Sequence, residues 1–247
     1  MSEYIVTSGR TLAGDAVDIE IRAGAIERIV PAGDGDPEAF PAERRYDADG
    51  RLVTPPLIEP HVHLDATGTA GDPSWNDSGT LAEGIEVWAE YKTDITVDDI
   101  VERATKTVEW YASHGVTRIR THADTTEPSL TTVEALVELK SRVSDLVDLQ
   151  VVAFPQDGVL TDESHEDLLR DAVEMGVDLV GGIPHNEYTR EDGVKSVEIA
   201  CDLAERHDLP LDLHIDETDD PNSRFTEVLA SEAIKREIGD RVTASHT

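Results

Sequence analysis

The chain has 247 residues, enough for one sizeable core, and its 53 acidic against 21 basic residues give a net charge of −32. A surface this negative repels phosphate backbones, which argues against nucleic acid as a partner. The single cysteine, Cys201, leaves no internal disulfide and no cysteine-based zinc finger and suggests a reducing, cytoplasmic compartment, while no apolar run reaches the roughly 18 residues of a membrane span.

Only five of the basic residues are lysine. Abundant carboxylates with scarce lysine suggest a halophilic protein, adapted to salt that screens its self-repulsion. No apolar secretion signal is read in residues 1–20.

Residues 1–54 are expected to form a small β-rich domain. Val17, Ile19 and Ile21 alternate with polar residues, as in a half-buried strand, and Ala23-Gly24-Ala25-Ile26 suits a hairpin turn. Residues 31–43, rich in Gly, Pro, Asp and Ala, are expected to be a surface loop. From residue 55 the rhythm changes. Short apolar stretches at 51–63, 116–124, 147–156, 177–185, 209–217 and 240–247 alternate with helical patterns at 98–115, 129–143, 163–176, 196–208 and 225–239.

Repeated strand–helix units predict an α/β fold with a parallel sheet, either doubly wound or a (β/α)8 TIM-type barrel. No glycine-rich phosphate loop follows any strand, which weakens a nucleotide-binding reading. His61, His63, His122, Gln156, His185, His214 and His246 recur at the C-terminal ends of successive strands, where barrel enzymes build their sites. The barrel reading is therefore favoured over 55–247. Six strand candidates are two short of a barrel, so an incomplete barrel, the front portion of a longer enzyme, is expected.

His61-Val62-His63 places two imidazoles on one side of a strand, because alternate side chains point the same way. They can bind zinc or iron, or simply cap the strand; spacing alone divides these evenly, and the "PHVHLD" context favours metal. His214, three residues before Glu217, is a third strand-end histidine. Glu217 could shuttle protons beside a metal, or be one more surface acid of "HIDETDD". His246 could orient a nucleophile or be a frayed terminal residue.

Together these pieces resemble the amidohydrolase superfamily, and within it the cytosine deaminases. The resemblance rests on "ADGRLVTPPLIEPHVHLD", "TAGDPSWNDSGTLAEGIEVWAEYK", "VAFPQDG", "GGIPHNEYTREDGV", "LHIDETDDPNSRF" and "RVTASHT". It implies that His61, His63 and His214 bind one divalent metal ion, iron or zinc. By the same resemblance Glu217 would relay protons and His246 would hold the attacking hydroxide. Gln156 would bond the amide edge of a pyrimidine, and Leu81 and Phe154 would line the ring pocket. The implied fold is a metal-dependent hydrolase barrel with residues 1–54 as part of a small β-sandwich. A further aspartate ligand of the family has no counterpart in this sequence.

The implied reaction on a small-molecule substrate is cytosine and water to uracil and ammonia. Two alternatives stand beside it: an aminotriazine or N-alkylammelide-type amidohydrolase, and an inactive fragment lacking the last ligand. No membrane partner is expected, and the sequence allows a homo-oligomer. His122 and His185 read slightly better as satisfied polar residues than as pocket residues. Cys201 reads as a small buried hydrophobe. His114, His165 and His207 receive no role.

Overall fold

The computed structural model describes residues 3–247. The chain divides into two compact units, Met1–Pro56 and Leu57–Thr247.

The first unit is a four-stranded mixed sheet of β1 (Tyr4–Arg10), β2 (Ala16–Arg22), β3 (Ala25–Pro31) and β4 (Arg45–Asp47), in the order β3-β2-β1-β4. β2 and β3 are antiparallel and joined by Ala23-Gly24, with Arg22 opposite Ala25. Both turn residues have positive φ, 53° and 81°, which matches the twist of the flanking strands. The alternation expected in β2 is only partly realised, because Asp18 and Glu20 are buried along with Val17 and Ile19. Asp18 is tolerated there because its carboxylate accepts from the backbone N–H groups of Ser8, Gly33 and Gly35. Glu20 pairs with Arg28. The segment 31–43 is not wholly a surface loop: Phe40 is buried, with the Arg22 guanidinium 4.4 Å from its ring centre.

The second unit is α/β. Its strands are β5 (Leu57–Val62), β6 (Val116–Asp124), β7 (Asp148–Phe154), β8 (Leu179–Gly182), β9 (Leu211–His214) and β10 (Val242–Ser245). All neighbours are parallel, and the sheet runs β5 to β10 in strict chain order. A doubly wound sheet reverses its order at a switch point; this one never does. It is a curled half-barrel of the TIM type, with six of the eight strands that close such a barrel.

Helices α1 (Leu81–Tyr91) and α2 (Val97–Ser113) connect β5 to β6. The helices α3 (Thr131–Arg142), α4 (His165–Glu174), α5 (Arg190–His207) and α6 (Phe225–Arg236) each connect one later strand to the next. The sequence predicts five of the six; α1 is the addition. The helices pack Val108, Leu136, Leu139, Leu169, Val197 and Leu229 toward the sheet in one core. β8 and β9 are buried along their whole length, as expected of parallel strands covered on both sides. At Gly181 in β8 any Cβ would fall 2.6 Å from the Ala153 carbonyl oxygen, so the strand admits only glycine there.

Candidate functional site

Parallel strands in chain order bring all their C-terminal ends to one edge. His61 is the penultimate residue of β5 and His63 follows its end; His214 is the last residue of β9, and His246 follows β10. The ring nitrogens His63 Nε2 and His214 Nε2 are 3.2 Å apart, and His246 Nε2 is 3.1 Å from His61 Nε2. His61, His63 and His214 each offer a ring nitrogen, all within 4.8 Å of one another. Two nitrogens bound at about 2.0–2.1 Å in a tetrahedral site stand about 3.3 Å apart, so the His63–His214 spacing fits one small divalent ion. His214, Glu217 and His246 form a second such group, sharing His214.

The electrostatics agree. Burial holds His63 down to about 3, helped by the neighbouring His61 and His246. Burial also lowers His61 and His214, with the other imidazoles adding to the effect. These rings are neutral at pH 7 and keep a lone pair for a cation. Among the described residues, His61 Nδ1 and His214 Nδ1 are buried without a protein hydrogen-bond partner.

A cavity of about 360 Å³ opens onto this cluster. Glu217, Gln156, His246 and Leu81 line it together with the three histidines. Glu217 Oε1 is 3.8 Å from His246 Nδ1. Gln156 is placed two residues beyond β7, with its carbonyl bonded by Asn186 Nδ2. Phe154, expected on the pocket surface, is fully buried behind it; as the last residue of β7 it stacks on His214, ring centres 4.0 Å apart. It backs the His214 ring and does not line the cavity.

Three features were not assigned from sequence. His122, which the sequence favours slightly as a satisfied polar residue over a pocket residue, is fully buried with neither ring nitrogen bonded to a side chain among the described residues, and its ring centre is 4.2 Å from that of His61. Its strand-end position is legible in the sequence; its closeness to His61 is not. Asp65, in the quoted "PHVHLD", lines the cavity; burial pushes its carboxyl up to about 7. Helix α1 supplies Leu81, Ile85 and Trp88 as an apolar wall at helical spacing. His185 borders a separate cavity, beside Pro184 and Arg190. Cys201 is fully buried in α5, as expected.

Among known proteins, a 5-methylcytosine deaminase from Klebsiella pneumoniae, solved with 5-fluorocytosine, matches with a TM-score of 0.92 and 46% identity. The match covers 98% of this chain and 58% of that one. N-isopropylammelide isopropylaminohydrolase from Burkholderia multivorans matches with a TM-score of 0.80 and 28% identity, over 99% of this chain and 60% of that one. The curated N-isopropylammelide isopropyl amidohydrolase of Pseudomonas sp. strain ADP is 34% identical over 206 residues, 81% of this chain and 51% of that protein. The chain thus spans about half the length of such curated relatives. A model described as "Amidohydrolase family" matches residues 44–99 and 96–247. Histidines gathered at the strand ends of a TIM-type sheet and a family match across most of the chain lead to one assignment: the chain belongs to the amidohydrolase family.

Proposed function

We propose that this chain carries the metal and substrate half of a hydrolytic deaminase that removes an exocyclic amine from a pyrimidine-like ring, with cytosine going to uracil and ammonia. The observation that supports this most is the single cavity onto which three neutral imidazoles, the Glu217–His246 pair and the Gln156 amide all open. The 46% identity to a 5-methylcytosine deaminase supports the same ring class.

Zinc or iron fits the donor set of His61, His63 and His214, and such an ion supplies Lewis acidity that makes water a nucleophile near neutral pH. The remaining work falls to side chains. Glu217 takes a proton from the attacking water and returns it to the ring nitrogen beside the reacting carbon. His246, within reach of Glu217 and of His61, holds the attacking oxygen and steadies the charge that develops on it during addition. A second delivery through Glu217 lets the amine leave as ammonia. Gln156 donates and accepts at once, which matches a cyclic amide edge. Trp88, Ile85 and Leu81 offer the ring an apolar surface.

A second reading has its own support. The 34% identity to an N-isopropylammelide amidohydrolase favours an aminotriazine bearing an alkylamine. Zinc-loaded protein incubated separately with cytosine, 5-methylcytosine, isocytosine and N-isopropylammelide tests both. Ammonia from a cytosine supports the first reading. Isopropylamine from the triazine, with no ammonia from the pyrimidines, supports the second. A metal-loaded protein that releases neither would reject both.

A further inference from the structure

Helix α1 presents a mechanical problem. Its inner face borders an open cavity instead of a packed core, and Trp88 is its one buried residue. Apolar packing therefore does little to fix where that wall stands. The Tyr91 hydroxyl bonds Asp99 Oδ2 on α2, and the stronger tether lies at the helix end.

Lys92, the residue after α1, is 8% exposed and reaches inward. Its Nζ donates to Asp124 Oδ2 at 2.8 Å, Asp157 Oδ2 at 2.7 Å and Thr126 Oγ1 at 2.9 Å, so all three ammonium protons have acceptors. Asp124, 2% exposed, also accepts from Trp88 Nε1 at 2.9 Å through the same oxygen. The backbone N–H of Asp124 donates to Asp65 Oδ2, two residues beyond His63. Asp157 directly follows Gln156. One ammonium is thus the common node of the aromatic wall, the residue next to Gln156 and the segment that follows the histidine pair at the end of β5. The two carboxylates hold Lys92 charged, outweighing the opposite pull of burial.

We propose that Lys92 is a positioning residue for the heterocycle: through Asp124 and Asp157 it fixes Trp88 and Gln156 as the two sides of one slot. The slot's role in catalysis rests on the deaminase reading above, whereas the placement of Trp88 does not. A cation here is chemically apt because only a donor with several protons can bridge two acids and a hydroxyl at once. Its charge also stays away from the cavity, since Nζ is not among the groups lining it.

The test uses the full chain loaded with zinc. Lys92→Met alone strands a buried carboxylate and risks misfolding, so the main variant is Lys92→Met/Asp124→Asn, which removes both charges together. Both are made in a Trp75→Phe/Trp110→Phe background, where Trp88 is the sole tryptophan and the replaced residues are exposed. Acrylamide quenching of Trp88 is expected to rise about threefold or more in the double variant while bound zinc is unchanged. With cytosine as substrate, KM is expected to rise about tenfold and kcat to change by less than about threefold, the signature of lost ring positioning. Unchanged quenching overturns the positioning role, and so does a fall in kcat with KM unaltered. If the parent protein turns over no cytosine, the deaminase reading fails, and the quenching result still decides the role of Lys92.

Discussion

Each imidazole in the cluster serves a cation only while it is neutral, and burial enforces that state. The consequence for stability has a definite sign. A histidine whose folded pKa lies below its unfolded value binds fewer protons when folded. Its contribution is complete above its ordinary 6.5 and is lost as the pH falls toward the folded value, about 3 for His63. His61, His122 and His214 are shifted in the same direction. Asp65 acts oppositely: raised to about 7, it contributes at low pH and loses that contribution as the pH climbs through 7. Four imidazoles thus act in one direction and a single carboxyl in the other. Metal-free protein is therefore expected to lose stability steadily from pH 6.5 toward 3. In urea titrations across that range the slope for His63→Asn should be shallower by about 1.4 kcal/mol per pH unit. Equal slopes would show that His63 is not held neutral by the fold. For catalysis, Glu217→Gln keeps the shape and removes the proton acceptor. Turnover of cytosine should drop by about 10²–10⁴-fold with bound metal unchanged; ordinary turnover in that variant would remove Glu217 from the mechanism.

Among the elements, the half-barrel is held across its curve as well as along its ladders. Arg120 on β6 donates to Asp212 on β9 at 2.8 Å, and Ser245 on β10 donates to the other oxygen of the same carboxylate at 2.7 Å. Asp212 is 1% exposed. Arg120→Met would leave that carboxylate buried without its cation and should cost about 3 kcal/mol, read from the urea midpoint. A loss within experimental error would mean that solvent reaches Asp212. The strand–helix alternation from residue 55 was legible because α2 to α6 each bury an apolar stripe against the sheet. Helix α1 was not read, since its apolar side faces a cavity. The overlooked signal was its cap: Thr80 Oγ1 accepts from the Glu83 N–H, while Glu83 bonds back to Ser78. Strand-end histidines could be found because alternation fixes their direction. The Lys92 node could not, as its partners lie 32 and 65 residues away and nothing local marks them. In β2 alternation misled, because the burial of Asp18 depends on backbone donors from outside its strand.

At the level of the whole molecule, a net charge of −32 is the dominant long-range force. Many acids are paired locally, such as Glu232 with Lys235 and Arg236. Pairing still leaves a large excess, with 53 acidic groups facing 21 basic ones. Raising salt from about 0.1 M to 1 M shortens the screening length from about 10 Å to about 3 Å and should weaken this repulsion. The thermal midpoint is thus expected to rise with potassium chloride over that range; a flat or falling midpoint would count against adaptation to salt. The histidine cluster sits within this acidic field, which favours the approach of a cation. The most direct test is the metal content of zinc-loaded, exhaustively dialysed protein, compared between the parent and the His61→Asn/His63→Asn variant. About one ion per chain in the parent, and almost none in the variant, is the expected result. A parent that retains no zinc, or a variant that retains as much as the parent, would contradict a metal centre built from His61, His63 and His214.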